Sequence, residues 1–217
     1  MNLFSYESRF SQVLLRLSIS CWLNLLWFIC SLPIITIGAS TTALYSVMLK
    51  VADDNDSQVT SRFFKAFKEN FPQATRLWLL MLGVGVILGL DGYIVSHMQS
   101  HTGGIPAVLW TLNLALLICA GVVYTIILLY VFPLTASVIN TDFNMVKNSF
   151  LIGIRYLFAT ILVAAIHFAM FYVAVALFTP ILIFGEGLVA LLSSNLLVNI
   201  IRLCSGEGDK VNGALGE

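Results

Sequence analysis

The strongest constraint in this sequence is a set of four long apolar runs that carry almost no charge: Leu77 to Met98, Ile105 to about Phe132, Tyr156 to Phe178, and about Gly187 to Leu203. A hydrocarbon core about 30 Å thick is crossed by roughly 20 apolar residues of α-helix, which is the scale of these runs. Outside them charge is too scarce for a water-soluble shell. Only 10% of the 217 residues are charged and 59% are hydrophobic, whereas a soluble domain carries charge on about a quarter of its residues. Eleven basic and eleven acidic residues cancel, so no global field draws the chain to nucleic acid. The runs predict an all-α fold, a polytopic transmembrane helix bundle whose first partner is the lipid bilayer. Periodicity cannot orient them, because a helix that is apolar all round is the form expected in lipid.

From Leu17 to Val51 the chain is also apolar or weakly polar, but Ser31-Leu32-Pro33 and Thr36 to Ser40 interrupt it. Pro33 lacks an N–H and Gly38 readily takes left-handed backbone angles, so both are expected as helix breaks. The flanking pieces, Leu17 to Leu32 and Thr41 to Ala52, would rise about 24 Å and about 18 Å, each short for a crossing. A broken helical hairpin follows, its turn sheltered at membrane depth near Asn24, with Thr36 satisfying freed backbone groups. One crossing helix followed by an interfacial helix is the alternative.

Basic residues set the orientation. Arg62, Lys65, Lys68 and Arg76 crowd one connection and Lys147 and Arg155 another, while His97 to Gly104 and Thr179 to Glu186 contain no Lys or Arg. The basic connections and the C-terminus are expected in the cytoplasm. No small-residue cleavage site follows the first residues, so the N-terminus is expected to be retained. Residues 57–72 set Phe63, Phe64, Phe67 and Phe71 among Lys65 and Lys68. That pattern predicts a cytoplasmic amphipathic helix, docked on the membrane surface or a partner, or packed on the protein's own helices. Lys68, Phe71 and Arg76 recur at the spacing of Lys147, Phe150 and Arg155, a faint internal repeat. The expected organisation is one transmembrane domain over residues 1–204, with four long membrane helices, the hairpin and the amphipathic helix. Residues 205–217, polar and glycine-rich, are expected to form a disordered cytoplasmic tail.

The chain has no GxSxG, HExxH or Walker lysine loop, and its four cysteines are scattered without ligand spacing. No catalytic residue, cofactor or metal is expected. The polar groups inside the apolar runs are therefore the candidates, because each needs a partner there. They are Asn24, Asn113, Asn195 and His167, with Thr36 at the break. His167 falls about 18 Å along a helix from Arg155, near the midplane, where it either relays a proton or bonds a neighbouring helix. Asp91, about 22 Å from Arg76, falls near the outer interface and is expected to be solvated. Gly85 and Gly89 form a small-xxx-small pair that predicts close helix packing.

The run Asn24-Leu25-Leu26-Trp27, Ser31-Leu32-Pro33-Ile34-Ile35-Thr36-Ile37-Gly38-Ala39 and Ala43-Leu44-Tyr45, followed by Phe63 to Phe71 and Val131-Phe132-Pro133-Leu134, resembles the YesL-like family of bacterial membrane proteins. The resemblance covers nearly the whole chain. It implies an all-helical protein of the bacterial cytoplasmic membrane, often encoded beside sugar-uptake transporters, and carries over no catalytic residue. The expected function is a non-enzymatic accessory or regulatory component of carbohydrate uptake, with sugar-transporter membrane subunits as partners. A small-solute transporter or channel is the alternative, resting on the broken helices and intramembrane polar groups.

Overall fold

A computed structural model of the chain describes residues 9–51, 58–98, 107–176 and 185–200. These residues form α1 (Arg9–Ser31), α2 (Ile37–Val51), α3 (Val59–Met98), α4 (Ala107–Ser137), α5 (Asp142–Arg155), α6 (Leu157–Ala176) and α7 (Gly185–Ile200), with no strand among them. Among the described residues, five spans are long and apolar enough to cross a bilayer. The all-α expectation holds, and the chain is a multi-pass helical membrane protein. The expected tail over 205–217, and the segments 99–106 and 177–184 within the loops free of Lys and Arg, lie outside the described residues.

The N-terminal hairpin forms, with its break narrower than expected. α1 begins at Arg9 rather than Leu17, and α2 begins at Ile37 rather than Thr41. Between them lies a single 3₁₀ turn, Ile34–Thr36, entered through extended Pro33. The Thr36 hydroxyl donates to the Cys30 carbonyl at 2.6 Å, and the Trp78 indole donates to the Ile34 carbonyl at 2.7 Å. The freed carbonyls thus find partners, as irregular backbone in an apolar setting requires. Gly38 corrects the expectation: it lies within α2, and no glycine among the described residues has a positive φ. Its role is steric, because a Cβ there would lie 2.5 Å from Trp78 Cβ and 2.6 Å from the Ala74 carbonyl. The turn is also less enclosed than expected, since Leu32, Ile34 and Ile35 are exposed.

The amphipathic helix expected over 57–72 is not a separate element. It is the first half of α3, a continuous helix of 40 residues that passes through Pro72. Proline removes one backbone donor, and packing on both sides of it keeps the halves in line. Phe63 is fully buried in a core with Leu23, Leu44 and Met48, and Ala74 and Leu77 are buried beyond the proline. Phe67 packs against that core and stacks on Phe63. Phe64 and Phe71 remain exposed, alongside Lys65 and Lys68. The aromatic stripe therefore divides, half of it being core.

Register places the hairpin beside residues 60–78 of α3. The Trp22 indole donates to the Thr60 hydroxyl at 2.8 Å, and Gly38 abuts Ala74 and Trp78. The far half of α3 pairs with the first half of α4 through Asn113 to Asp91 at 3.2 Å and the Tyr124 hydroxyl to the Met81 carbonyl, also at 3.2 Å. Val86, Ile87, Leu90, Leu112 and Leu116 are exposed along this pair, as lipid-facing helices require. Of the expected run Gly187 to Leu203, the described part is α7, an apolar helix shorter than the five spans. Ala190, Leu191 and Leu197 bury it in the hairpin core.

The two basic connections meet at one end of the molecule. Arg76 Nε donates to Asp142 Oδ2 at 2.8 Å, and Gln73 donates to Asp142 Oδ1 at 3.0 Å and to the Asn140 carbonyl at 2.7 Å. Asp142 opens α5, where Thr141 caps the helix by accepting from the Asn144 N–H, and an acidic residue in a first turn suits the helix dipole.

Candidate functional site

Where α1, α2, α3, α4, α6 and α7 converge they leave a cavity of about 240 Å³. Its lining is Trp27, Ile37, Thr41, Tyr45, Trp78, Leu128, Leu129, Phe132, Pro133, His167 and Glu186. Four aromatic side chains and a mainly aliphatic remainder thus surround one carboxylate and one imidazole.

Local structure fixes most of these groups. Asn24, fully buried on α1, accepts from the Gly187 N–H at 2.7 Å through its Oδ1. This bond occupies one of the backbone donors left free in the first turn of α7 and seats Glu186 at the cavity. Gly187 permits the approach, because a Cβ there would lie 2.6 Å from the Ser20 carbonyl and 2.8 Å from Asn24 Cβ. Trp27 lies three residues beyond Asn24, on the same side of α1. Its indole donates to the Thr41 hydroxyl at 3.0 Å, and Tyr45 follows Thr41 one turn later on α2. Trp78 is tilted against Phe132, with ring centroids 6.2 Å apart. His167 Nδ1 lies 2.9 Å from the Val163 carbonyl. A carbonyl can only accept, so Nδ1 carries a proton and Nε2 is the nitrogen left over for the cavity.

The candidates read from sequence separate into distinct places. His167 lines the cavity, at the level of Trp78 and Ile37 beside the hairpin turn. Asn24 supports the cavity by holding α7. Thr36 closes the turn through Cys30. Asn113 pairs with Asp91, which is therefore bonded as well as near a helix end. Asn195 is exposed and bonds the Leu191 carbonyl of its own helix. Of the glycine pair, Gly85 packs closely, a Cβ there meeting the Tyr124 hydroxyl at 2.8 Å. Gly89 does not: it has open space within 4 Å.

Glu186 is the group sequence reasoning missed. It was counted with the loop Thr179 to Glu186, although an acidic residue at the start of an apolar run, with no Lys or Arg near it, is a signal of its own. Trp78 falls in the apolar run Leu77 to Met98, where no local pattern sets it apart.

Residues 21–92 match the family described as "Protein of unknown function, DUF624", a span that takes in Asn24 to Tyr45 and Phe63 to Phe71. The chain is 28% identical over 170 residues to "Uncharacterized protein YteU" of Bacillus subtilis (strain 168), covering 76% of this chain and 71% of that one. No solved structure matches the chain.

Proposed function

We propose that this chain, a member of the DUF624 family through residues 21–92, is a non-enzymatic accessory or regulatory protein of a carbohydrate-uptake system in a bacterial cytoplasmic membrane. One observation carries the preference for an accessory over a conduit. Outside the cavity that holds His167 and Glu186, the polar groups in its apolar regions serve separate tasks at separate places: Asn24 caps α7, Thr36 closes the turn, and Asn113 pairs with Asp91. Among the described residues they do not line up as the hydrated path a conduit requires. The exposed Phe64 and Phe71, flanked by Lys65 and Lys68 at the end where the basic connections meet, supply a face for the membrane subunits of a sugar transporter. Co-purification with such subunits from native membranes tests the reading. Phe64→Asp with Phe71→Asp should abolish it without loss of folded protein. Undiminished co-purification would remove this face from the account, and no co-purification of the unaltered chain would remove the accessory role.

A second reading, a small-solute transporter in its own right, is favoured by the cavity with Glu186 and His167, since intramembrane ionisable groups mark substrate paths.

A further inference from the structure

We propose that the cavity bounded by Trp27, Tyr45, Trp78, Phe132, His167 and Glu186 binds a small protonated primary amine, with Glu186 as counter-ion and His167 as second hydrogen-bond acceptor. The inference stands apart from the accessory role and holds or fails on the cavity alone.

Chemistry narrows the occupant. Among the described residues the lining presents one carboxyl group and no Lys or Arg, so nothing there favours an anion and a cation finds its counter-ion in Glu186. The Trp27 and Trp78 indole N–H groups are already taken up by Thr41 and the Ile34 carbonyl. What both indoles offer an occupant is therefore ring surface, which favours cations and apolar groups. The Thr41 oxygen receives the Trp27 N–H, leaving few free oxygens on the wall. A bare metal cation needs about six oxygens and is excluded on that count. A monosaccharide has more hydroxyls to pair than Thr41, Tyr45, His167 and Glu186 can serve, so it is the weaker fit, and glucose is its control.

Glu186 and His167, near enough to feel each other's charge, are the carboxyl and imidazole groups on the wall. Glu186 as carboxylate can only accept. His167, with its Nδ1 proton held by the Val163 carbonyl, offers Nε2 as an acceptor whenever that nitrogen is unprotonated. An ammonium headgroup has three N–H donors and a positive charge, so it satisfies both while its alkyl part rests against the aromatic wall. A quaternary ammonium, lacking N–H, satisfies the charge alone and leaves the imidazole unpaired. The cavity of about 240 Å³ has room for a short-chain amine. Asn24 and Gly187 are positioning residues, acting through the placement of Glu186.

The test uses the purified full chain in detergent, titrated with n-butylammonium chloride, tetramethylammonium chloride, glucose and sodium chloride. Tryptophan fluorescence and melting temperature are the readouts, since Trp27 and Trp78 line the site. Butylammonium should quench saturably and raise the melting temperature, while the other three do neither at equal concentration. Glu186→Gln, nearly isosteric, should weaken butylammonium binding about tenfold or more, the scale of one lost charged hydrogen bond. His167→Gln, which keeps an acceptor, should retain binding, and His167→Leu should weaken it. Equal binding of butylammonium and tetramethylammonium, glucose binding in their place, unchanged affinity in a folded Glu186→Gln, or no saturable response to butylammonium would each overturn the proposal.

Discussion

A methyl group added at Gly38 would collide with Trp78 Cβ and the Ala74 carbonyl, whereas one added at Gly89 would meet nothing. Gly38→Ala should therefore lower stability in detergent by about 1–3 kcal/mol, the usual cost of overpacking. Gly89→Leu should leave it within about 0.5 kcal/mol. Thermal unfolding of the two variants side by side checks both. Asn24→Ala leaves the buried Gly187 N–H without its acceptor and should cost about 1–3 kcal/mol, read in the same assay. These roles were only partly legible. That Asn24 needed a partner followed from its place in an apolar run, but the partner lies 163 residues away and no local pattern points to it. Gly38 was visible as special, but the reason given was wrong. A glycine beside Pro33 reads as a left-handed turn residue, and only the packing of α3 shows that it is a contact residue.

The elements were legible where length and apolarity decide and opaque where register decides. α4 and α6 follow the runs from Ile105 and Tyr156, and the break after Leu32 falls where Pro33 put it. That residues 59–76 run beside the hairpin could not be read, because the inner and outer faces of an aromatic stripe look alike until Phe63 is seen in the core and Phe64 outside. The link between α3 and α5 gives this scale its prediction. The Arg76 guanidinium, bonded to Asp142, holds that carboxyl below its ordinary range, with the Gln73 amide assisting and partial desolvation opposing. A depressed carboxyl contributes stability that is present above its unfolded value and lost as pH falls through its folded value. The difference in melting temperature between the chain and Asp142→Asn should hold constant from neutrality to about pH 5, then vanish on further acidification through the carboxylate range. A difference that persists in acid would show that another group makes the link.

At the scale of the molecule, α3 is about 60 Å long, twice the hydrocarbon core. Its exposed Lys65 and Lys68 are too costly to sit in lipid, so the first half belongs outside the hydrocarbon. The hairpin lies beside that half, and Leu32, Ile34 and Ile35 are exposed at its turn. In a cysteine-free background, Lys68→Cys and Lys147→Cys should both react with an impermeant reagent from the cytoplasmic side alone. Reaction from opposite sides would break this topology. The functional account makes a sharper demand, since an accessory protein has no solute path of its own. Proteoliposomes that contain only this chain should release radiolabelled sugar and radiolabelled butylammonium no faster than protein-free liposomes. Saturable release that is lost in Glu186→Gln would contradict the account and make the chain a transporter.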